Sequence, residues 1–226
     1  MEHGGAEHIG VHKVAHFAGL AFNMDTLYMT WLTMAIVLLL VWAATRRITL
    51  VPRGLQNVVE MIVEALHEQI ESAIGPKGRF LGSFIVTLFL FLLVGNWLGL
   101  VPGLASPTND LNTTLGLALM VILMVQVIGV WNKGFFGYFS HFFKPYAVFL
   151  PINIIEELSK PVTLSFRLFG NIAAGEILLV ILGLLVPYLI PTGWLAFSVF
   201  VGVVQAFIFT VLSLSYLSNA LKDDAH

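Results

Sequence analysis

The sequence predicts an all-α integral membrane protein with five membrane-spanning helices and one amphipathic surface helix. Hydrophobic residues make up 58% of the 226 residues and charged residues only 11%, whereas a soluble domain has roughly 25% charged residues. Mean hydropathy is +0.91, and five apolar segments are each long enough to cross a bilayer, which takes roughly 20 residues. The predicted spans, within a single membrane domain covering 1–226, are residues 26–45, 80–101, 111–131, 150–186 and 194–221.

The composition also excludes several classes of function. The net charge is −2, so nothing indicates a nucleic-acid partner. The chain has no cysteine, which excludes a Cys-ligated metal site, and we predict neither a metal nor a cofactor. No Gly-rich phosphate-binding loop of the Walker kind occurs, so we expect no nucleotide chemistry in this chain. There is no convincing inverted repeat of the kind found in transporters.

Residues 1–25 form a polar leader ahead of the first span. His8, His12 and His16 recur every four residues, so on a helix they would share one face. A metal site is one interpretation of that face, and a solvated N-terminal segment is the simpler one. The leader has no short apolar core and no small-residue cleavage site, which argues against a cleaved signal peptide.

The first three spans carry few polar side chains. Trp31 and Trp42 lie near the two ends of the first span, where aromatic side chains suit the membrane interfaces. Asn96 near the end of the second span is interpreted as an interfacial side chain. Gln126 is the polar residue of the third span.

Residues 54–73 have the pattern of an amphipathic helix. Apolar residues follow the helical period, and the opposite face carries Glu60, Glu64, His67, Glu68 and Glu71. Such a helix lies on the membrane surface rather than crossing it. Because its polar face is acidic, simple binding to anionic lipid is not expected. Contact with a partner protein and packing on its own chain both remain open.

The distribution of positive residues predicts the orientation. The loops after the first and third spans carry Arg46, Arg47, Arg53, Lys77, Arg79, Lys133 and Lys144. The loops after the second and fourth spans carry neither Lys nor Arg. The positive-inside rule therefore places the N-terminus outside and the C-terminus in the cytoplasm.

The last two spans are longer than a membrane is thick. As helices, residues 150–186 and 194–221 would be about 55 Å and about 42 Å long, against a hydrocarbon core of about 30 Å. We therefore predict two strongly tilted helices that form a hairpin. Pro187 and residues 191–193 are expected to make the turn.

Arg167 is the most costly residue in the predicted membrane region. An arginine at a bilayer centre costs roughly 2.5–3.5 kcal/mol on insertion scales. On a helix, Arg167 shares one face with four other polar residues, Glu156, Lys160, Thr163 and Asn171. Glu176 lies roughly on the opposite side and about 13 Å further along, so we expect no direct salt bridge with Arg167. The two groups indicate two separate polar routes, although pairing of Glu176 with another helix remains an alternative.

Other polar residues near this region have competing interpretations. Glu156, Glu157 and Lys160 lie near the predicted cytoplasmic end, where pairing along the helix and snorkelling would explain them. On the last span Gln205 is the one strong hydrogen-bonding side chain at mid-depth, at a depth similar to that of Glu176. Ser198 lies seven residues before Gln205, on the same face.

Three motifs carry a resemblance to a known family. They are SKPVTLSFRLFGNIAAGE at 159–176, VVQAFIFTVLSLSYLSNA at 203–220 and GNWLGLVP at 95–102. Together they resemble subunit a of the membrane sector of a rotary F-type ATP synthase, and the resemblance extends over the length of the chain. The RLFGN form is similar to bacterial or plastid members, which implies a bacterial plasma membrane.

The resemblance implies partners and roles for particular residues. The partners would be a rotating ring of c subunits with membrane-embedded carboxylates, the b subunits of the peripheral stalk, and the whole ATP synthase, within membrane lipid. Arg167 matches the essential arginine between two aqueous half-channels. Asn171, Glu176 and Gln205 match proton-pathway positions, and Asn153 and Glu156 are weaker matches. Ser198 falls where some relatives have histidine. The chain would translocate ions, H⁺ or Na⁺, without catalysing nucleotide chemistry.

Two other functions are alternatives to this one. A stand-alone secondary transporter or channel would use Arg167 to bind an anionic substrate, but the missing inverted repeat and the lack of another buried cation argue against it. A non-transporting scaffold of a respiratory complex would use Arg167 in a structural ion pair, and its substitution would impair assembly.

Overall fold

The computed structural model describes residues 14–17, 20–101, 103–140, 150–185 and 189–221. Its helices are α1 (Met24–Thr45), α2 (Leu55–Ile74), α3 (Gly82–Leu98), α4 (Leu111–Lys133), α5 (Phe135–Ser140), α6 (Leu150–Leu185) and α7 (Leu189–Leu221). Two 3₁₀-helices, Pro76–Leu81 and Pro107–Asn109, precede α3 and α4. In these ranges five helices are long and apolar enough to cross a membrane, which confirms the predicted all-α membrane fold.

A small β-hairpin precedes α1 and was not predicted. Strands β1 (Val14–Phe17) and β2 (Leu20–Asn23) pair antiparallel, with His16 opposite Ala21. His16 therefore lies in a strand, and the helical face expected for the histidines does not form at this position. His8 and His12 lie outside the described residues.

The apolar spans pack around α3, which is the most buried of them. It lies against α1, α2 and α7, while α4 packs on the hairpin of α6 and α7. The core at these contacts includes Leu88 and Leu92 of α3, Val121 of α4, Leu168 of α6 and Phe209 of α7, all at most 3% exposed. Helices from distant parts of the chain thus form one core.

The amphipathic helix α2 is packed against its own chain. Leu66 and Ile70 are 3% and 1% exposed in the common core, and the Ser218 hydroxyl of α7 donates to the Ala73 carbonyl at 2.7 Å. The glutamates on the other face are exposed. The apolar face is therefore satisfied within the chain, and contact of the acidic face with a partner protein stays a prediction.

The last two helices are long, as predicted, but the second of them begins earlier than expected. Helix α6 has 36 residues and α7 has 33, which corresponds to about 54 Å and about 50 Å. Helix α7 begins at Leu189, so residues 191–193, which we expected in the turn, belong to the start of that helix. A proline is tolerated there because the first helical N–H groups have no partner within the helix. Pro187 lies outside the described residues.

Candidate functional site

Arg167 lies on the outward face of α6. Arg167 is exposed, as are Thr163 and Asn171 one turn to either side of it. Leu164 and Leu168 on the inward face are 1% and 0% exposed. Among the described residues the guanidinium makes no ion pair or hydrogen bond, so the fold presents a permanent cation to whatever lies beside α6.

Asn171 joins this face to α7. Its side-chain amide donates to Gln205 Oε1 at 3.0 Å. Gln205 is only 4% exposed, and its Nε2 has no hydrogen-bond partner in the part of the chain that the structure describes. Two of the predicted site residues are thus in direct contact, and they join α6 to α7 one turn from Arg167.

Glu176 is half-buried and is not paired with Arg167. Its Oε2 accepts a hydrogen bond from the side-chain amide of Asn109, in the short helix between α3 and α4. Near it, Trp194 Nε1 of α7 donates to the Gly175 carbonyl at 3.1 Å. No Arg167–Glu176 ion pair occurs among the described ion pairs, as the helical spacing predicts. The two ionisable groups therefore lie in separate environments.

A buried polar network holds the segment that carries Asn109. The Thr108 hydroxyl donates to Asn96 Oδ1 at 3.1 Å, and Asn96 Nδ2 donates to the Gly202 carbonyl of α7 at 3.1 Å. The Ser106 hydroxyl donates to the Gly95 carbonyl at 2.9 Å. Asn96 is 5% exposed, so its interpretation as an interfacial side chain is wrong. Its two amide atoms connect α3, the 106–109 segment and α7.

Asp110 anchors the same segment to α1. It is 7% exposed and accepts hydrogen bonds from Asn23 Nδ2 at 2.7 Å and from the Thr26 hydroxyl at 3.0 Å. It also accepts from the Asn112 backbone N–H at 2.9 Å and so caps the start of α4. Sequence reasoning identified this segment only as a loop. The capping pattern of Asp110 is readable in the sequence, but its contact with α1 is not.

A second polar cluster lies near the start of α6. Lys160 Nζ pairs with Glu157 Oε2 at 2.6 Å, and Gln126 Nε2 of α4 donates to Glu157 Oε1 at 2.9 Å. Lys160 also lies 5.7 Å from the ring centre of Tyr216. Burial, together with the negative charge of Glu157, raises the pKa of Tyr138 to about 12. Pairing along the helix therefore explains Glu157 and Lys160, in agreement with one of the two interpretations of the sequence.

The remaining predicted site residues lie apart from the Asn171–Gln205 pair. Glu156 is exposed, and Asn153 is half-buried near the start of α6. Ser198 is partly exposed and makes no hydrogen bond with the described residues. The structure therefore brings together Asn171 with Gln205, and leaves Ser198, Asn153 and Glu156 away from that contact.

These features define a class: a polytopic α-helical membrane protein with an outward cation and a separate, half-buried carboxylate on one long helix. Within this class, the family model of the ATP synthase A chain matches residues 27–218. The chain belongs to this family.

Curated relatives carry the same designation. The chain is 44% identical to ATP synthase subunit a of Desulforamulus reducens over 226 residues, covering 94% of this chain and 85% of the relative. It is 42% identical to subunit a of Moorella thermoacetica over 195 residues, covering 86% and 89%. It is 38% identical to subunit a of Acidothermus cellulolyticus over 231 residues, covering 96% and 84%. The three matches cover between 86% and 96% of this chain, and the range of the family model includes α6 and nearly all of α7.

Proposed function

We propose that this chain is the stationary proton channel of a bacterial ATP synthase. Membership of the family makes it a component of the ATP synthase and of its proton-translocating membrane sector. Beyond that, the proposal assigns two half-channels to the chain, with Arg167 between them. The channel partner is a ring of c subunits that turns against α6 and α7, and b subunits bind the same complex from the peripheral stalk.

The observation that carries the proposal is the exposed guanidinium of Arg167. A cation in the membrane region is costly, and such residues normally face the interior of a bundle or a partner group. Here Leu164 and Leu168 occupy the inward face. The guanidinium is therefore positioned for a negative group outside this chain, and a membrane-embedded carboxylate of a ring subunit is such a group.

Arg167 acts on the ring as a fixed charge rather than as a proton carrier. A guanidinium does not deprotonate in proteins, and a nearby cation favours the ionised form of a carboxyl. An arriving protonated ring carboxyl gives up its proton to one route, passes Arg167 as an anion and is reprotonated from the other route. The same positive charge repels a proton that would cross directly. The driving free energy is roughly 2.3 kcal/mol per charge per 100 mV.

The polar residues of α6 and α7 divide into the two routes. Glu176, with Asn109 beside it, belongs to the route at the outer side of the membrane. Asn153 and Glu156 belong to the cytoplasmic route. The Asn171–Gln205 pair, 3.0 Å between the bonded atoms, holds α6 against α7 beside Arg167 and so fixes the height of the cation. Ser198 lies beside the outer route.

The proposed orientation places the N-terminus outside and the C-terminus in the cytoplasm of a bacterial cell, with the chain in the plasma membrane. The positive loops before α3 and after α4 support it. The acidic face of α2 then lies at the cytoplasmic surface, where the peripheral stalk is expected. In this arrangement the start of α6 faces the cytoplasm and Glu176 lies toward the outside.

Cysteine cross-linking tests whether α6 faces the ring. The chain contains no cysteine, so a single introduced cysteine is the only thiol that this subunit contributes. We expect T163C and F166C, both at exposed positions, to form disulfides with a cysteine placed near the membrane-embedded carboxylate of the ring protein. L38C on α1, where Leu38 is 70% exposed, is the control and should not cross-link. Cross-links from L38C but not from α6 would contradict the proposal.

A further inference from the structure

We propose that Asn109 is a positioning residue that fixes the carboxylate of Glu176 within the proton route. The inference rests on the proposed function, since the orientation of this carboxylate matters only if Glu176 exchanges protons. It adds a role for the segment between α3 and α4, which contributes none of the predicted site residues.

The hydrogen-bond partner of the Glu176 carboxylate is a neutral amide. Asn109 Nδ2 donates to Glu176 Oε2 across 67 positions of sequence. No cation pairs with Glu176 in the described ranges. A charged partner would strongly favour the ionised carboxylate, whereas an amide N–H is a weaker, neutral donor. The amide can therefore orient the carboxylate while leaving both protonation states accessible.

Asn109 is itself held in place. Its backbone N–H donates to the Ser106 carbonyl at 3.1 Å. Thr108, the preceding residue, is 0% exposed and donates to Asn96 at 3.1 Å. Asp110, the next residue, is bonded to Asn23 of β2 and to α1. Both neighbours of Asn109 are thus anchored to other elements, and the side-chain amide is presented to Glu176 by a fixed backbone.

The hydrogen bonds that anchor the segment carrying Asn109 also reach α7. The side-chain amide of Asn96 accepts the hydrogen bond of the Thr108 hydroxyl at Oδ1 and donates from Nδ2 to the Gly202 carbonyl. Trp97 Nε1 donates to the Val199 carbonyl at 3.1 Å. The position of Asn109 is therefore set relative to both α6 and α7, the two helices that carry the proposed routes.

A double-mutant cycle between Asn109 and Glu176 tests the inference in the assembled ATP synthase. ATP-driven pumping and passive proton flux are measured in membrane vesicles for wild type, N109A, E176Q and N109A/E176Q, normalised to assembled complex. With Glu176 present, N109A should lower the rate about tenfold, as expected for loss of a hydrogen bond to a charged group. In the E176Q background, the same change should lower it by less than about threefold, since the bond is then between neutral groups. N112A, at an exposed position three residues on, should leave both rates unchanged.

An equal effect of N109A in both backgrounds, or no effect with Glu176 present, would overturn the inference. If N109A reduces assembly, N109L, which keeps the branched shape of the side chain without an N–H donor, must give the same pattern. If E176Q leaves no measurable flux, E176D, one methylene shorter, replaces it in the cycle. R167A separates the two proposals: full pumping by R167A overturns the proposed function, whereas an inactive R167A with no Asn109–Glu176 coupling overturns only this inference.

Discussion

Replacing Arg167 with alanine is expected to abolish ATP-driven proton pumping while the protein still inserts and assembles. The side chain is exposed and makes no contact that the described core depends on, so its removal should not destabilise the fold. Without the cation, an arriving ring carboxyl has no reason to ionise, and coupled transport stops. Quenching of a pH-sensitive dye in vesicles measures pumping, and the amount of purified complex measures assembly. Undiminished pumping would contradict the proposed role.

R167K is the matched variant, because it retains a positive charge at the same exposed position. We expect a milder loss than in R167A. An ammonium group is compact and can lose its proton when desolvated, whereas a guanidinium cannot. The deficit of R167K should therefore grow at alkaline pH. Equal rates for lysine and arginine at alkaline pH would count against a requirement for a permanent charge.

Replacing Gly202 with valine is expected to cause a large loss of folded protein. A Cβ at this position would lie 3.2 Å from Trp97 Cδ1 and 3.4 Å from Asn96 Cβ, and the branched valine adds two more carbons. Adding carbon atoms to a well-packed contact lowers the stability of a fold by about 1–3 kcal/mol. The displaced side chains also donate to the Gly202 and Val199 carbonyls, and each lost hydrogen bond costs about 0.5–1.5 kcal/mol. The yield of purified protein and its thermal stability in detergent measure the loss.

G116V is the control for this prediction. Gly116 is also helical, in α4, but an added Cβ there would meet nothing within 4 Å. We expect G116V to accumulate close to the wild-type level. The substitution there changes only the helix propensity, which is slightly higher for valine than for glycine. Equal yields and equal thermal stability of G202V and G116V would argue that the contact between α3 and α7 does not hold the fold together.

The parts of the structure that were predictable follow from local periodicity. Hydropathy and length are properties of consecutive residues, so the five spans and α2 could be read directly. The 3.6-residue period also placed Thr163, Arg167 and Asn171 on one face of α6, and all three are exposed. The same period separated Glu176 from Arg167, in agreement with the absence of an ion pair between them among the described contacts.

The parts that were not predictable depend on contacts between distant segments. Asn109 and Glu176 are separated by 67 positions, and Asn96 and Gly202 by 106. No local pattern indicates that a polar residue at the end of α3 will be buried against the backbone of α7. The start of α7 was missed for another reason. Proline was read as a turn signal, although the first turn of a helix accepts it.

If one fixed charge separates two proton routes, its removal must change the passive proton flux of membrane vesicles. With the catalytic sector removed, a membrane potential is applied and proton entry is followed in wild-type and R167A vesicles. We expect R167A, although unable to pump, to conduct protons at least as fast as wild type, because no positive charge then prevents direct crossing. An R167A protein that assembles normally but conducts no protons would show that Arg167 does not separate two routes.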